Sequence, residues 1–191
     1  MTLRRLHRFT AIALCLFLAL HLANHLAGLA GQEAHREVQM FLRQIYRNPV
    51  IEALLLTLLA LQVGFGLALA RQRRRISLQS LAGLYLAGFI VIHLTAVLSA
   101  RWQGVETDLA FAAAGMHAPQ PWPVVFALYY GMAVTALGLH LSAALARRRP
   151  ALARILAAFG MAIAAVIVLI LAGWPNPLTI PPELIAQFPG S

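Results

Sequence analysis

The chain has 191 residues, of which 61% are hydrophobic and 11% charged, with a mean hydropathy of +0.77 and a formal net charge of +9. Those values exclude an ordinary water-soluble domain of this length. The single cysteine, Cys15, excludes a disulfide framework and a thiolate metal centre.

Five apolar stretches are long enough to cross a bilayer, which takes about 20 residues. They are 9–30, 49–70, 78–100, 123–146 and 151–173. The fold class expected is therefore all-α, a polytopic bundle of five transmembrane helices. No connection is long enough to fold alone, so residues 1–191 should form one bundle. The first stretch imitates a secretory leader, with a basic start, an apolar core and "AGLAG" at its end. The polar run "HLANH" inside it argues for a retained helix instead. After it, residues 34–47 carry Val38, Phe41, Leu42, Ile45 and Tyr46 at i, i+3, i+4, i+7, i+8, the pattern of an amphipathic helix lying on the outer surface. Asn48-Pro49 should end that helix and open the second span. The connection after the third span should hold a short helix near Asp108–Gly115. The tail 174–191 has five prolines and cannot continue the fifth helix. Its Leu178, Ile180, Leu184, Ile185 and Phe188 suggest packing on the outer surface of the bundle or on a partner.

Charge sets the expected orientation. All fifteen basic residues are arginine. Eleven of them (Arg4, Arg5, Arg8, Arg71, Arg73, Arg74, Arg75, Arg147, Arg148, Arg149 and Arg154) gather at one face without any acid, whereas all six acids lie at the other face with Arg36, Arg43, Arg47 and Arg101. The positive-inside rule then places the N-terminus in the cytoplasm and the C-terminus outside. Trp102, Trp122 and Trp174 fall at the expected outer boundary, where interfacial aromatics belong. The basic runs are short loops between spans, which disfavours nucleic acid as a partner.

An internal repeat links two of the spans. Residues 6–22, "LHRFTAIALCLFLALHL", align with 78–94, "LQSLAGLYLAGFIVIHL", at an offset of 72 that pairs His21 with His93. Both spans rise from the same face, and both imidazoles should lie roughly 12–15 Å below the outer boundary. Ionisable groups inside a membrane usually face the bundle interior and mark function, although a single one can serve only as polar glue between helices. Two neutral imidazoles at equal depth can bind a metal or the iron of a haem. No Cys or carboxylate at that depth completes a four-ligand zinc site, whereas haem iron needs two axial ligands. His25, one turn from His21, is the alternative ligand. His140 belongs to the inner half, roughly 10 Å from the cytoplasmic face.

Other polar residues carry less. Glu52 opens the second span, where a carboxylate complements a helix N-terminus or could serve a proton or quinone. His7, Arg8 and Thr10 could line a quinone pocket or simply anchor the interface. His35 and His117 fall in outer connections and should be solvated. Gly64, Gly66, Gly131 and Gly138 suit close helix packing. No nucleophile–base pairing, phosphate loop or nucleotide fingerprint is present, so no catalytic residue is expected.

The ordered set "RRLHRFTA", "LHLANHLAG", "VIEALLLTLLALQVGFG", "LQSLAGLYLAGFIVIHL" and the His140 span, covering most of residues 4–146, resembles the single-chain, five-helix cytochrome b membrane anchors of succinate dehydrogenase and fumarate reductase. The resemblance implies a diverged member in a bacterial-type inner (plasma) membrane that binds haem b and exchanges electrons with quinone in a respiratory complex. It also implies flavoprotein and iron–sulfur subunits docked on the cytoplasmic face, with catalysis residing in those subunits. Carried over by position, the outer haem's axial pair falls on His21 and His93. The inner pair falls on His140 and on Gln62, where the family has His. Glutamine ligates iron poorly, so the expectation is at most one tightly bound haem, with Gln62 hydrogen-bonded to His140. The alternative is a haem-free membrane scaffold or assembly protein of the same fold.

Overall fold

The structure, a computed structural model, describes residues 2–73 and 75–190; Arg74, one of the expected basic residues, lies outside them. Among the described residues eight α-helices follow one another: α1 Leu3–Ala27, α2 Gln32–Tyr46, α3 Pro49–Arg71, α4 Leu78–Trp102, α5 Leu109–Ala113, α6 Trp122–Leu145, α7 Pro150–Leu171 and α8 Pro182–Ile185. No strand occurs among the described residues. Five of the helices, α1, α3, α4, α6 and α7, are long and apolar enough to cross a membrane. The first begins at Leu3, ahead of the expected residue 9, because Arg4, Arg5 and Arg8 extend the helix rather than preceding it.

Local chemistry sets most helix ends. Asn48 Oδ1 accepts from the Val50 and Ile51 amides at 3.1 and 3.5 Å, and Pro49 supplies the first turn of α3. Ser77 caps α4 through the Ser80 amide, and Asp108 caps α5 through Phe111. Between α1 and α2 the chain reverses at Gly31, whose φ of 110° lies in the region that a side chain disfavours.

The long helices pack in a ring: α1 on α3, α3 on α4, α4 on α6, α6 on α7, and α7 back on α1. The α6–α7 contact is the most extensive. It is drawn together by Gly138 and Gly160, where a Cβ built on either residue would stand 2.9 or 2.7 Å from the other's Cα. The sequence suggests Gly138 for such a role together with Gly64, Gly66 and Gly131. Gly64 meets nothing within 4 Å and Gly131 only Val168 at an ordinary 3.4 Å.

The densest core sits at the end away from the arginine cluster. There Leu109, Ala113, Ile167, Ile170 and Leu171 are buried together, and Leu178 and Ile180 of the tail pack against them. Leu184 of α8 is buried with Ala110 and Ala114. Gln32 and Thr179 exchange two hydrogen bonds at 3.0 and 3.3 Å, and Asn176 donates to the Leu29 carbonyl at 2.8 Å. The tail therefore caps the far end of its own bundle.

The helix α2 turns its faces to different surroundings. The stripe that it buries is His35, Gln39, Leu42 and Arg43, while Val38, Met40, Phe41 and Ile45 are exposed. The reason lies in the 103–121 connection, whose backbone needs donors. Gln39 and Arg43 both donate to the Thr107 carbonyl, at 3.3 and 3.1 Å, and Arg43 also reaches Glu106 at 2.9 Å. Arg43 holds the Glu106 carboxyl below the usual range. Val38, Phe41 and Ile45 of the apolar stripe are left exposed, whereas Leu42 is buried.

Candidate axial-ligand site

His21 of α1 and His93 of α4 face each other across the ring of helices, with imidazole centroids 6.2 Å apart and planes inclined at 70°. Both side chains are half-buried. Each stacks on a phenylalanine one turn earlier in its own helix: Phe17 on His21 at 5.7 Å and 19°, and Phe89 on His93 at 5.2 Å and 12°. Phe17 and Phe89 are themselves 72 residues apart, so the pseudo-repeat includes the ring support as well as the imidazole. A metal about 2 Å from each nitrogen puts two opposed imidazole centroids roughly 6.3 Å apart. A separation of this size would suit a haem iron held between His21 and His93. Among the described residues no three His, Cys, Asp or Glu side chains converge as a group that could hold a metal ion.

His25 stands edge-on to His21 at 4.9 Å and lies 5.8 Å from His35, toward the far end. It backs His21 and is not the ring opposite His93. Asn24 is buried, and its amide reaches His35 Nε2 at 3.2 Å. His35 is thus not solvated, as its position in a connection had suggested. It is 1% exposed, because α2 turns its polar stripe inward. Burial, opposed by the Asp108 carboxylate and aided by Arg43, lowers its pKa from 6.5 to about 4. His117 is likewise engaged. Its ring nitrogen donates to the Leu171 carbonyl at 3.0 Å, satisfying an acceptor in the last turn of α7.

Two features flank the pair. An apolar groove of about 180 Å³ runs beside His21 under α2, with His21 and Tyr46 as its polar groups and Leu16, Leu20, Ile45 and Ile51 among its walls. Phe17 stands edge-on to Tyr46 at 5.9 Å, linking the groove to the imidazole stack. Glu52 forms a two-point ion pair with Arg101, its second contact at 3.3 Å, so that carboxylate is committed to bracing α3 against α4.

The inner positions do not pair as expected. Gln62 is hydrogen-bonded to Thr10 and reaches His7 Nε2 at 3.4 Å; its bonds do not go to His140. His140 instead donates from Nδ1 to the Gln79 carbonyl at 3.0 Å and faces His7, at a centroid distance of 6.3 Å. The helix α1 brings His7 between Gln62 and His140, and sequence spacing could not show this crossing. No family model, curated protein or solved structure matches the chain.

Proposed function

We propose that this protein is a membrane cytochrome b-like subunit that holds haem b between His21 and His93 and passes electrons to or from quinone within a respiratory complex. The observation that carries the reading is the opposed imidazole pair at 6.2 Å, on two repeat-related helices, each ring stacked on its own phenylalanine. Haem between them would supply one-electron redox chemistry. Phe17 and Phe89 restrict the rotation of their imidazoles, and His25 closes the side of His21 that faces the far end. The apolar groove with His21 and Tyr46 at its polar positions suits a ring-headed, isoprenoid-tailed quinone, whose carbonyls need donors at one end and lipid-like walls at the other. The acid-free arginine face suits the cytoplasmic side and docking of flavoprotein and iron–sulfur partners. The chain itself would carry electrons, with catalysis elsewhere.

The test is an optical spectrum of protein purified in mild detergent with haem supplied during expression. A reducible band system of low-spin bis-imidazole haem is expected. His21→Ala and His93→Ala should abolish this site's signal, whereas His25→Ala should retain it. Wild-type protein that stays colourless with haem supplied would overturn the proposal and leave a haem-free scaffold of the same fold.

A further inference from the structure

We infer that an anionic phospholipid binds at the turn between α2 and α3, its phosphate held by Arg47 and one acyl chain lying along Ile45, Val50 and Leu54. This site is independent of haem. Its occupant belongs to the leaflet at the end away from the arginine cluster.

Charge singles out Arg47. Four arginines lie at that end, and three have carboxylate partners: Arg36 meets Glu33 at 3.3 Å, Arg43 meets Glu106 at 2.9 Å, and Arg101 is paired with Glu52. Among the described residues Arg47 forms no ion pair. Its guanidinium donates to the Thr107 hydroxyl at 3.1 Å, which leaves other N–H groups of the fork for a ligand. Partial burial, followed by the Arg43 and Arg101 charges, pushes its pKa below the ordinary value, and Glu106 only opposes this. Three guanidinia thus face two carboxylates, one of them largely exposed. A phosphate supplies the missing negative charge, and its oxygens accept charge-assisted bonds from the planar guanidinium.

The apolar half of the site is continuous with the lipid-facing surface. The helix α3 has no buried residue along its whole length, so other chains must cover much of it. Val50 and Leu54 are exposed one helical turn apart at its start, next to Ile51 and Leu55, which line the groove under α2. Ile45 of α2 lines the same groove and is also exposed. Arg47 stands between Ile45 and Val50 in the chain, so the cation heads this apolar strip. Trp102, next to Arg101, is exposed at the same end, as an aromatic at a bilayer boundary would be. A charged head followed by an apolar strip matches a phospholipid. A soluble anion would use only the first half of the site.

The experiment measures lipid binding to delipidated full-length protein in a neutral detergent by native mass spectrometry. Phosphatidylglycerol and phosphatidylcholine with identical chains are the probes. Wild type should hold phosphatidylglycerol several-fold more tightly than phosphatidylcholine. Arg47→Gln should weaken phosphatidylglycerol about fivefold, the contribution of one arginine toward anionic lipid, and Arg47→Lys should retain most of the binding. Arg36→Gln, which removes a paired arginine, should leave it unchanged. Inorganic phosphate should not displace the lipid. Equal binding of the two lipids by wild type, or an equal effect of Arg36→Gln and Arg47→Gln, would overturn the inference. Displacement by inorganic phosphate would also overturn it and assign Arg47 to a free anion.

Discussion

Replacing Gly138 by alanine tests how α6 and α7 are held together. The new Cβ would stand 2.9 Å from Gly160 Cα and 3.1 Å from the Leu156 carbonyl oxygen, against ordinary contacts of 3.4–4 Å. Both neighbours are backbone atoms, so no side chain can swing aside. The helices must part by about half to one ångström, loosening the most extensive contact in the bundle. Overpacking of this kind costs about 1–3 kcal/mol. Alanine regains about 1 kcal/mol over glycine within a helix, leaving a net loss of up to about 2 kcal/mol. Gly160→Ala should behave alike, and the double variant should cost less than the sum, because the first separation makes room for the second methyl. Gly64→Ala is the control. With no atom within 4 Å it should be neutral or stabilise by up to about 1 kcal/mol. Reversible unfolding in mixed micelles, followed by circular dichroism, measures all four variants. Equal stability changes in Gly138→Ala and Gly64→Ala would refute the close-contact account.

Three further outcomes follow from the far end and the charge pattern. His35 has its pKa lowered to about 4, so its stabilising contribution is present above pH 6.5 and is lost as pH falls from 6.5 toward 4. Up to about 3 kcal/mol of acid destabilisation should appear over that window in pH-dependent unfolding, and His35→Gln should flatten it. Arg43→Met should cost about 2–3 kcal/mol by stripping donors from Thr107, whereas Glu106→Gln should cost under about 1 kcal/mol because that carboxylate is 75% exposed; thermal denaturation in detergent compares them. Reporter fusions at Arg73 and Arg148 should read cytoplasmic, and fusions at Gly104 and the C-terminus external; a cytoplasmic C-terminus would overturn the orientation.

Hydropathy alone made the five long helices legible. Twenty or so apolar residues without charge admit few alternatives, because a backbone in lipid must satisfy its own hydrogen bonds. The repeat at offset 72 likewise pointed to His21 and His93 before their rings were seen to face each other, since equal depth follows from equal register. It could also have exposed Phe17 and Phe89, which share that offset. Partner choice across helices was not legible. Gln62 pairs with His7 and Thr10 instead of His140, His35 is buried against Asn24, and α2 turns its polar stripe inward. Those outcomes depend on how helices rotate about their axes and which neighbour stands beside each. Periodicity gives the spacing of residues around one helix, but it contains no term for the rotation of a second helix against it. The same limit separates Gly64 from Gly138: both are glycines in apolar helices, and only the crossing of α6 over α7 decides which one touches another backbone.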